Sequence, residues 1–216
     1  MSWLAEVPSL HTLDLRDVQR ISHELLDHLA GDRKLLTQLV DEICDDADLM
    51  ANSRVTLLLN RLSLYQAPER GFEIRINMNP RPGNRRVPHD HCYAFATRVL
   101  TGGYVHVVSR RTDGWEGPFT GDNLQPGIVT IERPGDSYTL GHPMVHQAVM
   151  EPDTVTLVVR GPRRTALSNA VAELMPSRDT WPPPAEPGGP AVASRPATVG
   201  EYRLMRTYLF RRGLID

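Results

Sequence analysis

Apolar residues recur at three- and four-residue intervals early in the chain: Val18, Ile21, Leu25, Leu26 and Leu29 form one stripe. That period predicts an amphipathic helix, with Asp14 as its N-cap and Gly31 as its stop. A second stripe, Leu35, Leu36, Leu39, Val40 and Ile43, predicts another helix from Asp32, and the helical pattern fades near Leu49. Beyond residue 54 the runs become short and β-rich, at 55–59, 72–78, 104–108, 128–131 and 154–159. Turn chemistry separates them: Pro80-Arg81-Pro82-Gly83-Asn84, Gly102-Gly103, Asp113-Gly114, Gln125-Pro126-Gly127 and Arg133-Pro134-Gly135-Asp136. No helical pattern crosses between them, so the prediction is an antiparallel sandwich or barrel and not a parallel α/β sheet.

After Pro162, the residues Leu167, Ala170, Val171 and Leu174 predict a short helix. Residues 176–196 read as a linker, because Trp181-Pro182-Pro183-Pro184 and Gly188-Gly189-Pro190 cannot sustain regular ladders. Residues 201–212 are amphipathic and basic, and a helix there is expected to pack back on the barrel in preference to a membrane surface or a partner subunit. The expected division is a helical segment at 1–53, a β-barrel carrying the site at 54–163, and a C-terminal helix, linker and terminal helix at 164–216.

The chain has 216 residues and a net charge of −2, which gives no electrostatic argument for nucleic acid or an anionic membrane. No apolar run approaches the roughly 20 residues that span a bilayer. Met1-Ser2-Trp3-Leu4-Ala5-Glu6 lacks a basic region followed by a long apolar one, so the expected compartment is the cytoplasm. Cys44 and Cys92 lie in segments of different type and are expected to be free thiols.

The chemistry is concentrated in Val87-Pro88-His89-Asp90-His91. Two histidines two residues apart on extended chain share a face, so two imidazoles can converge on one cation. Such a pair alone reads equally well as a solvated loop. His146, at the end of a stretch punctuated by Gly135, Gly141 and Pro143, supplies a third candidate and favours a metal site. His142 sits four residues earlier in a Gly-His-Pro turn and either supplements the ligands, orients one or is a loop residue near the mouth. His106 alternates with Val105 and Val107 on a strand, as a structural or ligand-supporting group would. His23 and His28 fall on the helices, as surface or boundary residues. Tyr93 and Tyr138 are close to the ligands in sequence and serve either as hydrogen-bond donors or as packing.

These spacings resemble the two motifs of the cupin superfamily. His89, His91 and Gly103 match the first motif, and Gly135 and His146 match the second at the right separation. The resemblance implies an all-β cupin fold, a double-stranded β-helix or jelly-roll barrel, here with N-terminal helices and a C-terminal helical extension. The motif's glutamate falls near Ala96, where this chain has no acid, and its following asparagine falls at Met150. A three-histidine site is similar to that of cysteine dioxygenase and related thiol dioxygenases, which also carry helices ahead of the barrel. The resemblance covers about 54–162. The tyrosine and histidine that follow the third ligand in that family correspond to Arg160 and Val158 here, and Cys92 does not take the place of the cysteine to which that tyrosine is linked. The implied protein is therefore a diverged relative.

That family binds its substrate carboxylate with an arginine on an early strand. Arg61 falls at about the matching distance. Arg75, on the polar face Glu73-Arg75-Asn77, is a rival, and Arg160 is a third candidate. A guanidinium suits bidentate carboxylate recognition, and Arg61 or Arg75, each taken singly, reads equally well as capping a solvated sheet face. The expectation is an oxygenase holding Fe(II) on His89, His91 and His146, with O₂ as co-substrate and a small amino acid or thiol as substrate. Arg61, Arg75, Arg160, Tyr93 and His142 are the candidate catalytic or substrate-binding side chains. Three neutral ligands leave the cation its full charge and favour an anionic co-ligand. Affinity order alone does not select iron, so Ni, Mn or Zn with isomerase, lyase or unusual oxidase chemistry is the alternative. A third reading, from another class, is a non-catalytic small-molecule-binding cupin. No nucleic acid or membrane partner is expected, and a homodimer is left open.

Overall fold

A computed structural model describes residues 3–56, 59–79, 84–85, 87–114, 117–165, 168–171 and 194–216. Leu57, Leu58, the turn at 80–83, Leu167, Leu174 and the Pro-rich stretch 176–193 lie outside those residues.

The predicted helical stripes form α1 (Leu15–Gly31) and α2 (Arg33–Glu42), followed by a shorter α3 (Ala47–Asn52). Asp14 caps α1, its Oδ1 accepting from the Asp17 N–H at 2.9 Å. Gly31 is the last helical residue and takes no left-handed conformation. The stop is Asp32, whose N–H donates to the His28 carbonyl at 3.1 Å while its carboxylate accepts from the Leu35 N–H at 2.9 Å. One aspartate thus ends α1 and starts α2.

The strands are β1 (Arg54–Val55), β2 (Asn60–Ala67), β3 (Phe72–Asn79), β4 (Asn84–Arg85), β5 (Tyr93–Thr101), β6 (Tyr104–Arg110), β7 (Ile128–Glu132), β8 (Ser137–Leu140), β9 (Met144–Met150), β10 (Thr154–Arg163) and β11 (Arg195–Pro196). They make one sheet in the order β11-β1-β2-β3-β10-β5-β8 and a second in the order β4-β9-β6-β7, with every pairing antiparallel. From β5 onward the chain alternates between sheets: β5 in the first, β6 and β7 in the second, β8 back, β9 across, β10 back. This is the expected antiparallel cupin-type barrel, with helices before and after it.

Strand alternation divides the first sheet into an apolar back and a polar front. On β3, Phe72, Ile74, Ile76 and Met78 join the core that packs on the helices, while Arg75 and Asn77 face the second sheet. On β10 the same split puts Val155, Leu157 and Val159 behind and Thr156, Val158 and Arg160 in front. One apolar core holds Leu25 and Leu29 of α1, Leu36 and Leu39 of α2, these strand residues, and Tyr202 and Leu209 of α4 (Val199–Arg211). Each such side chain contributes about 1.5–3 kcal/mol on burial. The helical ends of the chain therefore share the barrel's core.

The terminal helix packs back as predicted. Tyr202 Oη donates to the Val40 carbonyl at 3.0 Å, and Arg206 Nε to Asp41 Oδ1 at 2.6 Å. Two other expectations are corrected. Ala170 and Val171 are not helical but extended, bridging His89 and Phe119. Their backbone is claimed by the histidine turn, with the Val171 N–H donating to the Pro88 carbonyl and the Asp90 N–H to the Asn169 carbonyl, both at 2.9 Å. The end of the expected linker, Arg195–Pro196, forms the edge strand β11 on β1. No helix among the described residues is long and apolar enough to cross a membrane. Cys44 is exposed and Cys92 buried, both as free thiols.

Candidate metal centre

The His89-Asp90-His91 segment precedes β5 and is fastened to β9 by one bridge. The His89 N–H donates to the His146 carbonyl at 3.0 Å, and the His146 N–H to the His89 carbonyl at 2.8 Å. Alternation along this extended stretch sends both imidazoles to one side and Asp90 to the other. The ligand atoms of His89, His91 and His146 all lie within 4.8 Å of one another. His91 Nε2 and His146 Nε2 are 2.9 Å apart. Two imidazole nitrogens each about 2.0–2.1 Å from one cation, at right angles, would lie about 3 Å apart.

Hydrogen bonding fixes which nitrogen carries the lone pair. His89 Nδ1 sits 2.8 Å from the Val87 carbonyl, which can only accept, so the proton is on Nδ1 and the lone pair on Nε2. For His146 the assignment comes from a relay. Glu132 Oε1 accepts from His106 Nδ1 at 3.4 Å, so His106 Nε2 is an acceptor, and it lies 2.9 Å from His146 Nδ1. His146 therefore donates from Nδ1 and keeps a lone pair on Nε2. Burial, outweighing the nearby Glu132 carboxylate, lowers the pKa of His106 and keeps it in this neutral form. The register makes the relay possible: His106 is diagonal to His146 across β6 and β9, and diagonal to Glu132 across β6 and β7. The donor set fits a divalent metal of borderline softness.

This relay predicts a graded effect. Glu132→Gln and His106→Ala should each weaken metal affinity by about 10–100-fold, the usual loss when an outer partner of a ligating histidine is removed. Competition against a chelating dye measures it, and unchanged affinity in both variants would remove the relay from the site.

The acidic slot of the motif is filled by a ring. Ala96 packs behind the sheet in the helix core, so the inward position is Phe95. Its ring lies 4.7 Å from that of His91 and 5.7 Å from that of His146. A fourth protein ligand from β5 is thereby replaced by an apolar wall, which Leu140 and Val158 extend.

Beyond the imidazoles, the space between the sheets leaves a cavity of about 100 Å³ that opens to solvent. Arg61, Arg75, Arg160 and Tyr93 all line it, together with His91 and His146. The Arg160 guanidinium stacks 4.0 Å over the Tyr93 ring and donates to Glu73 Oε1 at 3.0 Å. Arg75 also pairs with Glu73. Burial, and next the charge of Arg61, push the Arg75 pKa down to about 9. Arg61 is pushed down chiefly by burial, with Arg160 and Arg54 adding to it. His142 is half-buried and belongs neither to the ligand group nor to the cavity lining.

On the opposite side of the turn, Asp90 enters a buried ion pair with Arg111 at 3.2 Å. It also accepts from the Asn169 N–H at 2.5 Å. Arg111 Nε reaches Asp113 at 2.9 Å, and its guanidinium lies 4.5 Å over the Phe119 ring. Of these supporting groups, only His106 has a signal that attracts notice in the sequence. Glu132 and Phe95 would have emerged from strand alternation: Ile128-x-Thr130-x-Glu132 places an acid two positions on from a threonine on the strand beside His106.

The chain matches no family model. No curated protein matches it either. Solved structures similar to it include KdgF from Halomonas sp., at 20% identity and TM-score 0.38, over 51% of this chain and 85% of that one. An RmlC-like cupin from Shewanella frigidimarina has 17% identity and TM-score 0.37, over 51% of this chain and 81% of that one. The polyketide cyclase RemF from Streptomyces resistomycificus has 18% identity and TM-score 0.38, over 56% of this chain and 77% of that one. At these scores the likenesses carry no argument about chemistry, and the assignment of fold rests on the sheet order.

Proposed function

We propose that this protein is a metal-dependent oxygenase that binds Fe(II) on His89, His91 and His146 and oxidises a small carboxylate-bearing thiol or amino acid with O₂. The observation that carries the reading is the convergence of three imidazoles, two of which line a cavity together with three arginines. Three neutral ligands leave a cation its full charge and hence its attraction for an anionic donor such as a thiolate. Bound Fe(II) would supply a Lewis-acidic centre with open positions at which a substrate donor atom and O₂ can meet.

The chain's own residues do the rest. Arg61, Arg75 and Arg160 hold the acidic end of the substrate and thereby fix the position of its reactive end. Tyr93 limits the swing of Arg160 by lying under its guanidinium plane. Phe95, Leu140 and Val158 exclude water beside the ligands. The Glu132–His106 relay keeps the proton on His146 Nδ1, so that Nε2 stays directed at the ion.

Protein purified from unsupplemented cells should contain close to one iron per chain and should consume O₂ with cysteine or a related small thiol. Oxygen-electrode traces that stay flat for the whole thiol series while iron is bound would overturn the oxygenase reading. Nickel, manganese or zinc in place of iron would redirect it to isomerase, lyase or oxidase chemistry at the same three histidines.

A further inference from the structure

The arginine wall carries more positive charge than the chain answers. Arg61, Arg75 and Arg160 line the cavity, and Glu73 is the one carboxylate paired with them among the described residues, contacting both Arg75 and Arg160. Arg61 has no carboxylate partner among the described residues, and its buried Nε has no hydrogen bond. It also lies directly opposite Arg54 in the β1–β2 register, a like-charge pairing that is unfavourable unless an anion joins it. Arg160 Nε is likewise buried without a hydrogen bond. Groups in that condition are costly in an empty protein and become assets when a ligand satisfies them.

The arginines also start from separate places on the sheet: Arg61 is opposite Asn77 of β3 and Arg160 opposite Glu73, four residues away. Arg61 is on β2 and Arg160 on β10, with β3 between them. Strands lie about 4.8 Å apart, so the two backbones are separated by about 10 Å. A single carboxylate can take one guanidinium bidentately, or two that converge on it, but it cannot answer both ends of such a row.

We propose that the ligand of this cavity carries two carboxylates at the arginine wall, in addition to the atom it directs toward the histidines. One carboxylate pairs with Arg61 and the other with the Arg75–Arg160 end, where Glu73 already offsets part of the charge. The inference rests on the reading of this cavity as the substrate site, and it narrows that reading from small thiols or amino acids in general to dicarboxylates.

Calorimetry on the chelator-treated full chain tests this without reference to the metal. Succinate should bind at least about tenfold more tightly than butyrate, and Arg61→Gln should abolish the preference. Arg160→Gln provides a second variant from the other end of the row, and thermal melting confirms that each is folded. Equal binding of succinate and butyrate, or a preference that survives in both variants, would overturn the proposal. So would methyl phosphate binding as tightly as succinate, since both its charges sit on one group. An activity arm keeps the two readings apart. On iron-loaded protein, mercaptosuccinate should be consumed with a higher kcat/KM than mercaptoacetate. Equal values would sink the dicarboxylate while leaving the oxygenase. Flat oxygen traces with both thiols, beside an intact succinate preference, would sink the oxygenase while leaving the dicarboxylate.

Discussion

Replacing His146 by alanine will cost more than about 100-fold in metal affinity, beyond the 10–100-fold expected from losing a supporting partner. The backbone bridge to His89 uses only the main-chain groups of residue 146, so the variant can retain the turn that presents His89 and His91. What disappears is the one ligand from β9, leaving two imidazoles from a single short segment. Thermal melting provides the readout. A metal that binds the folded state alone raises stability by about 2.7 kcal/mol at one hundred times its Kd. The wild-type chain should therefore show a clear rise in Tm on adding Fe(II) anaerobically, or Zn(II), and His146→Ala should show almost none at the same concentration. A variant that kept its metal-dependent rise while His106→Ala lost it would mean that the ion is held elsewhere.

The three histidines that converge were legible because their signal is local. His89 and His91 share a face by period alone, and the Gly/Pro punctuation before His146 marks a turn leading into it. The helices were legible for the same reason, down to Asp14 as the cap. Elements whose identity depends on distant partners were not. Near its start β5 contains Ala94 and Ala96, which pack against helices far away in sequence, and its β-branched residues Thr97, Val99 and Thr101 come only in its second half. β2 and β9 mix polar and apolar residues because each has one face on the cavity. The stretch at 168–171 looks helical by spacing, yet its backbone is recruited by the His89 turn, a tertiary demand that periodicity cannot carry. The motif's acidic position falls near Ala96 by spacing, and in a strand one residue is a change of face. Alternation settles it: Ala96 points into the helix core, and Phe95 points at the imidazoles.

The same alternation that turns the two histidines inward turns Asp90 outward, into a site where its loss is expensive. Asp90 and Arg111 are both almost fully buried, at 4% and 3% exposure. Breaking a buried pair by removing one partner typically costs about 3–5 kcal/mol, because the remaining charge is left without full compensation. Asp90→Ala should reach that range in urea unfolding, since it also removes the acceptor for the Asn169 N–H and so loosens the 168–171 strap. Arg111 keeps Asp113 and the Gly117 carbonyl as partners, but Asp113 is at the rim and only partly offsets the buried end. The double variant Asp90→Ala, Arg111→Met removes both charges and should recover part of the loss, a coupling that two independent surface effects would not give. Metal affinity is the second readout. The His-Asp-His turn is held on one side by the bridge to β9 and on the other by Asp90, so the single variant should bind metal more weakly at temperatures where it is still folded. Full stability in Asp90→Ala, or destabilisation with no change in metal affinity, would separate the ion pair from the geometry of the site.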